Sequence, residues 1–243
     1  MAIEIASGIK SILESLSGLS NFHPNQSQPN YGITSSYSSL GPQSATEEDF
    51  ASLARQAHFD DSDNTKQWMA TITKYMKKAG NRMNPLEAAF RSVVQAMREY
   101  NIMYQAAHGV RLFYKGLVTI NLLTPNGVLK TRLNDCRDSS LLVAATLSRL
   151  GYEMVLAIND GHVLPVVIMS TPRNGKLAGS PIIVDGKKRY LYSIEVNFHS
   201  KKDATYESSI RRGALGLKHT LRQNWLKIVT LEGKIILQKE YSK

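Results

Sequence analysis

Cysteine is almost absent from this chain of 243 residues, which contains only Cys136. A single cysteine excludes a disulfide bond within the chain, so a reducing compartment, the cytoplasm, is the expected location. The six histidines are scattered and no second thiol accompanies them, so the common spacings of structural zinc sites are missing. The sequence predicts no metal and no other cofactor.

Long apolar runs are missing as well. No stretch reaches the roughly 18–20 consecutive apolar residues that a membrane-spanning helix needs. A secretory signal peptide has a basic head followed by an uninterrupted apolar block. The first twenty residues do not fit that pattern, because charged residues interrupt their apolar positions at Glu4, Lys10 and Glu14. We therefore expect neither a membrane span nor a secretory signal.

Several familiar catalytic motifs are absent. The chain has no GxxxxGK[S/T] phosphate loop, no GxGxxG after a strand, no HExxH and no GxSxG nucleophile elbow. These absences argue against the nucleotide-dependent, zinc-dependent and serine-dependent chemistries that use those motifs. The composition, 42% hydrophobic and 21% charged, is otherwise that of a globular protein with a packed core.

The net charge of +10 is concentrated in the C-terminal third, where residues 181–243 hold 13 Lys and Arg against six Asp and Glu. Such an excess suits an anionic partner, whether nucleic acid, an anionic lipid surface or an acidic polymer. No recognisable nucleic-acid-binding motif accompanies these residues. A solvated basic face is the simpler interpretation.

The first 45 residues differ in character from the remainder. Apolar side chains recur at three- and four-residue steps over residues 2–20, which predicts an amphipathic helix at 1–20. Residues 21–45 are rich in Ser, Asn, Gln, Pro and Gly and are predicted to form a flexible linker. The helix is expected to dock on its own domain, on a second copy or on a partner protein, and a truncation beginning near Thr46 is expected to leave the chemistry intact.

Residues 46–243 are predicted to form one domain, with a helical part at 46–109 and a catalytic core at 110–243. Helix signals begin at Thr46, around Trp68 and at Asn84-Pro85, and the third helix is predicted to include Tyr104. β-Branched and aromatic side chains dominate residues 110–123, and a turn is predicted at 124–127 (Thr-Pro-Asn-Gly). A buried helix is predicted at 137–150. Strands are predicted at 152–158, 162–169, 181–184, 188–198 and 225–237. This order predicts an α+β fold in which helices pack on an antiparallel sheet.

Three residues stand in the order that thiol chemistry requires. Cys136 begins the buried helix, where free N–H groups and the helix dipole stabilise a thiolate. His162 opens a strand directly after a turn, and Glu195 lies in the predicted strand 188–198. A base that activates the thiol and an acid that orients the base would complete a catalytic triad. Taken singly, each has a simpler explanation: a small buried hydrophobe, a turn residue and a solvent-facing acid.

Two further acids are candidates for a role at the same site. Asp138, in the first turn of the helix, is expected to accept backbone N–H groups and to hold the cysteine turn rather than to titrate in the reaction. Asp185 is the alternative third acid, although its position before Gly186 is explained by turn geometry alone.

Two segments resemble the transglutaminase-like cysteine hydrolase superfamily: LNDCRDSSLLVAATLSRLGYEMVLAINDGHVLPVVIM at 133–169 and GKKRYLYSIEV at 186–196. The likeness lies in a Cys-x-Asp at a helix start, a leucine-rich helix ending in Leu-Gly, a Gly-His strand and an aromatic-rich strand with the acid, and it covers roughly residues 110–198. It implies a papain-like core with Cys136 as the nucleophile, His162 as the base and Glu195 as the orienting acid.

Two positions depart from the pattern of that superfamily. Asn134 stands where the family commonly has Gly, and it is expected to support the nucleophile turn in the same left-handed conformation. Pro165 removes a backbone donor from the histidine strand, which predicts an edge strand or a bulge.

The leading functional expectation is a thiol-dependent hydrolase or acyl transferase acting on an amide or isopeptide bond of a protein or peptide. The Cys136 backbone N–H is expected to be one oxyanion donor. The alternative is an inert core that serves as a binding or structural component of a larger assembly. That alternative is favoured if Glu195 and Asp185 both point away from His162.

Overall fold

The computed structural model describes residues 46–80, 83–104, 122–159, 162–172, 177 and 179–239. The predicted helix at 1–20, the predicted linker at 21–45 and most of the predicted β-branched segment at 110–123 lie outside the described residues.

Three helices open the described chain: α1 (Glu47–Arg55), α2 (Asp63–Ala79) and α3 (Pro85–Glu99). Each begins at a residue whose side chain caps free N–H groups, namely Thr46, Ser62 and Asn84, so three helices are present where the helix signals predicted them. The third helix ends five residues earlier than predicted. Tyr104 lies instead in the short strand β1 (Met103–Tyr104), which pairs in parallel with β2 (Leu133–Asn134).

The predicted turn at 124–127 is the start of a helix, α4 (Pro125–Thr131). Thr124 Oγ1 accepts a hydrogen bond from Gly127 N at 3.2 Å, and Pro125 occupies the first helical position, where a missing N–H costs nothing. The helix ends at Arg132, whose φ of 65° is left-handed. The prediction failed because Pro-Asn-Gly is a common signal for turns and for first helical turns alike.

The predicted buried helix is confirmed as α5 (Cys136–Arg149), in which residues 137–147 are all buried. It packs against one face of a six-stranded antiparallel sheet. The strands are β3 (Met154–Asn159), β4 (His162–Met169), β5 (Ser180–Val184), β6 (Lys187–Ser193), β7 (Leu226–Thr230) and β8 (Ile235–Lys239). Their order across the sheet is β5-β6-β4-β3-β7-β8, so the α+β class is confirmed.

Two strand predictions need correction. The predicted strand 188–198 leaves the sheet after Ser193, so Glu195 lies beyond its end. The histidine strand β4 is interior rather than at an edge, since it lies between β3 and β6. Its pairing with β6 begins only at Val166, so β3 alone accompanies it at Pro165. That position tolerates the missing donor without a bulge between β3 and β4.

The sequence did not predict the helix α6 (Tyr206–Arg222), which separates β6 from β7. Leu217 of α6 packs in a cluster with Leu164, Leu191 and other residues from one sheet face. The alternate strand residues, such as Val167 and Tyr192, belong to the core that includes α5. The sheet therefore carries helices on both faces. No helix in the described part of the chain is long and apolar enough to cross a membrane.

Candidate active site

The start of α5 is fixed by a reciprocal capping arrangement around Cys136. Asp135 Oδ1 accepts hydrogen bonds from Arg137 N at 2.8 Å and Asp138 N at 3.1 Å. Asp138 Oδ2 accepts one in return from Asp135 N at 3.2 Å. These bonds hold the backbone on both sides of Cys136, which is partly exposed at the first residue of the helix. The thiol therefore lies at the positive end of the helix dipole.

Asp138 also ties this turn to the chain that precedes α4. Its Oδ1 accepts a hydrogen bond from Leu123 N at 2.9 Å. Burial, and after it the charge of Asp135, raise the pKa of this carboxyl to about 6, against the lowering effect of the bonds from Leu123 N and Asp135 N and of the nearby Arg137. The sequence predicted that Asp138 supports the turn, and both of its carboxylate oxygens accept backbone N–H groups.

A buried ion pair, which the sequence analysis did not single out, adjoins the cysteine. Arg137 Nε donates to Asp135 Oδ2 at 2.8 Å, Arg137 Nη2 contacts the same oxygen, and both side chains are about 95% buried. This pair places a fixed cation one residue from Cys136. The only sequence signal was the Asp-x-Arg spacing that brackets the cysteine.

His162 and Glu195 form the central contact of the site. His162 Nε2 lies 2.9 Å from Glu195 Oε2, and the two side chains are 31% and 14% exposed. Burial acts to lower the pKa of His162, but its hydrogen bonds to Cys136 and Glu195 outweigh burial and raise that pKa to about 10. The imidazole is therefore protonated at neutral pH. Because Glu195 occupies Nε2, Nδ1 is the ring nitrogen left for Cys136.

Asp185, the alternative third acid, lies elsewhere. It occupies the turn between β5 and β6 with a left-handed φ of 48°, its side chain is 79% exposed, and its carboxylate lies 3.9 Å from Lys234 Nζ. The carboxylate at His162 is that of Glu195.

The acid is positioned by α6. Glu195 N donates to Ser209 O at 3.1 Å, so the chain beyond β6 is hydrogen-bonded to a helix carbonyl after it leaves the sheet. Glu195 Oε1 also accepts from Asn197 N at 3.3 Å, which orients the carboxylate from the other side. The position of Glu195, which the sequence singled out, is therefore fixed by α6, a helix that the sequence did not predict.

Three polar side chains connect the nucleophile helix to the other two segments. Ser139 Oγ donates to Asn197 Oδ1 at 2.6 Å, which joins α5 to the segment of the acid. Ser140 Oγ lies 2.6 Å from Cys136 O and 2.8 Å from Val163 O, which joins α5 to the histidine strand. Sequence reasoning missed these residues, although two adjacent serines in an otherwise apolar helix were the available signal.

Asn134 does not adopt the conformation expected for it. The non-glycine residues with positive φ in the described ranges are Asn101, Arg132 and Asp185, and Asn134 is instead extended in β2. The left-handed residue of this turn is Arg132, because the chain reverses at the end of α4. The Asn134 side chain is buried, and neither its Oδ1 nor its Nδ2 has a partner in the described chain.

No protein-family model matches the chain, and comparisons with curated proteins and with solved structures also found no match. Within the described ranges, no three His, Cys, Asp or Glu side chains are grouped so as to hold a metal ion.

Proposed function

We propose that this chain is a thiol-dependent hydrolase or acyl transferase of amide or isopeptide bonds, built on a papain-like core of the transglutaminase-like type. The observation that carries the proposal is the His162 ring, which hydrogen-bonds Glu195 through Nε2 and also interacts with the Cys136 side chain. A nucleophile, a proton carrier and an orienting acid in contact are the arrangement that covalent acyl transfer uses.

The first half-reaction begins with attack of the Cys136 sulfur on the substrate carbonyl carbon. A protonated imidazole beside the sulfur stabilises its thiolate form. As the S–C bond forms, the carbonyl π electrons move to oxygen, and the Cys136 N–H at the helix start is available to bind that oxyanion. The C–N bond then breaks, the leaving amine takes the proton of His162, and a thioester remains.

The second half-reaction returns the site to its starting state. Water or an acceptor amine attacks the thioester carbonyl while neutral His162 takes the proton of that nucleophile. The C–S bond breaks, the electron pair returns to sulfur, and the imidazolium–thiolate pair forms again. Glu195 stabilises the charged ring throughout and keeps its orientation.

The inert-core alternative would be favoured if both candidate acids pointed away from His162. The 2.9 Å contact between Glu195 and His162 supports the enzymatic proposal over that alternative. The inert core is the expected conclusion if Cys136 shows no activation.

The test is the rate at which iodoacetamide labels the native protein at pH 6, followed by intact mass. Because Cys136 is the only cysteine, every adduct reports on this site. We expect native Cys136 to react at least about tenfold faster than the same protein unfolded in urea, because a thiolate reacts and a thiol does not. His162→Ala should abolish the difference. Equal rates for native and unfolded protein would overturn the proposal.

A further inference from the structure

A groove of about 490 Å³ lies among α2, α3 and the start of α6. Its charged lining consists of Lys78, Arg91 and Arg98 against a single carboxylate, Glu207. The aromatic side chains of Tyr75 and Tyr206 also line it, and the Tyr75 hydroxyl donates to Glu99. The lining of the groove therefore carries a cationic excess.

Within the described ranges, two of the three cations have no carboxylate partner. Arg91 forms ion pairs with Glu87 at 3.5 Å and with Glu207 at 3.3 Å. Neither Lys78 nor Arg98 has an ion pair with any residue of the described chain. Arg91 Nε is in addition a buried donor without an acceptor there. Unneutralised cations beside an unused donor are the features of a site that receives an anion.

The favourable field at a helix C-terminus explains the presence of Lys78, beside Lys77, in the last turn of α2 and of Arg98 in the last turn of α3. It does not explain why both line one groove with a third cation. Arg91 and Arg98 are seven residues apart on α3, so they lie on the same side of the helix about 10 Å apart.

We propose that this groove binds an acidic segment of a partner protein in an extended conformation. In a polyproline II chain, residues three apart lie on the same side and are separated by about 9 Å. Carboxylates at that spacing match the separation of Arg91 and Arg98. Glu207, which is 64% exposed and pairs with Arg91, occupies the position that one of these carboxylates takes.

The aromatic rings of the groove favour a peptide over a single-stranded nucleic acid. Arg91 Cζ lies 3.9 Å from the ring centroid of Tyr206, and Lys78 Nζ lies 5.6 Å from that of Tyr75. Cations thus cover the faces on which bases would stack, and stacking is the main sequence-independent contribution to single-strand binding.

The test is a fluorescence anisotropy titration of the full chain with a labelled peptide of Glu-Pro-Pro repeats, whose glutamates recur every third residue. Arg98→Gln should weaken binding about tenfold or more, since it removes a cation that forms no ion pair with the part of the chain that the structure describes. Glu207→Gln should strengthen binding severalfold because it removes the competing acid. Lys218→Gln, which removes one exposed charge from α6 outside the groove, is the matched control and should change the dissociation constant less than twofold.

Three outcomes would overturn the proposal: equal weakening by Lys218→Gln, no effect of Glu207→Gln, or tighter and Arg98-dependent binding of an oligothymidylate in place of the peptide. The substituted side chains, Arg98, Glu207 and Lys218, are exposed, so we expect the variants to keep the thermal midpoint of the wild type. An unchanged midpoint verifies that each variant is folded. Peptide binding is measured independently of Cys136 chemistry. A groove that does not bind the peptide would therefore leave the proposed enzymatic function unaffected.

Discussion

Gly213 of α6 lies directly against the backbone of Ser193, at the point where β6 ends. A Cβ at position 213 would lie 2.4 Å from Ser193 O and 2.6 Å from Ile194 Cα, closer than real side chains approach backbone atoms. One turn earlier in the same helix, Ser209 O accepts the N–H of Glu195. The location of Glu195 therefore depends on how closely α6 approaches the end of β6.

Gly213→Ala is expected to lower the free energy of unfolding by about 2 kcal/mol, because the clash is with backbone atoms that cannot rotate away. This loss exceeds the gain of about 1 kcal/mol that alanine brings to a helix interior. The substitution should also displace Glu195 from His162 and thereby slow the labelling of Cys136. Urea denaturation and the iodoacetamide rate measure the two effects.

Gly216→Ala is the matched control, since a Cβ there would meet only the Leu164 side chain at 3.4 Å. It should leave the labelling rate unchanged and the stability equal or slightly higher. A Gly213→Ala protein as stable and as reactive as Gly216→Ala would contradict the positioning role of α6.

The same two glycines explain why α6 escaped prediction. Glycine disfavours helix interiors, and the segment from Tyr206 to Arg222 has few large apolar residues, so its pattern suggested a basic surface. The close approach that requires Gly213 exists only in the folded chain. The strand prediction beyond Ser193 failed for the same reason, because residues 194–198 keep a β-like composition while their backbone leaves the ladder for α6.

The site itself was more accessible to prediction because its signals are local. A cap residue before an apolar helix located Cys136, and a turn before an apolar strand located His162. What the sequence could not show was the pairing between distant segments, such as Ser139 with Asn197 across 58 positions. The sequence assigned the left-handed conformation to Asn134, whereas Arg132 adopts it at the end of α4, a helix that was not predicted.

Glu195→Gln tests the choice between the two candidate acids. Glutamine preserves the shape and one acceptor oxygen, but it removes the charge that helps to raise the pKa of His162. We expect the pKa of His162 to fall and labelling of Cys136 at pH 6 to slow by about tenfold, an effect of about 1.4 kcal/mol on the barrier. Asp185→Asn, the control, should leave the rate unchanged because that carboxylate faces Lys234. Equal effects of the two substitutions would refute the assignment of Glu195.

Asp138→Ala tests the support of the nucleophile turn. It leaves the N–H groups of Leu123 and Asp135 without their acceptor, which should cost about 2 kcal/mol of unfolding free energy and slow Cys136 labelling. Because folding raises the pKa of Asp138, the stabilisation from its protonated form is complete below the unfolded value and is lost as the pH rises through about 6. The difference between wild type and variant should therefore be larger at pH 5 than at pH 7.5. A difference that grows with pH would contradict this account.

The last prediction concerns the proton on His162. A pKa of about 10 means that the imidazolium form dominates up to about pH 9 and is lost as the pH rises through 10. Two-dimensional NMR of selectively labelled histidines should show one ring, assigned by its absence in His162→Ala, that does not titrate between pH 5.5 and 8.5. The hydrogen bond with Cys136 contributes to the raised pKa, so Cys136→Ala should move the midpoint of that ring downward, and Glu195→Gln should move it downward as well. A ring that titrates near the ordinary pKa of about 6.5 in the wild type would show that the contacts with Glu195 and Cys136 do not hold the proton on His162.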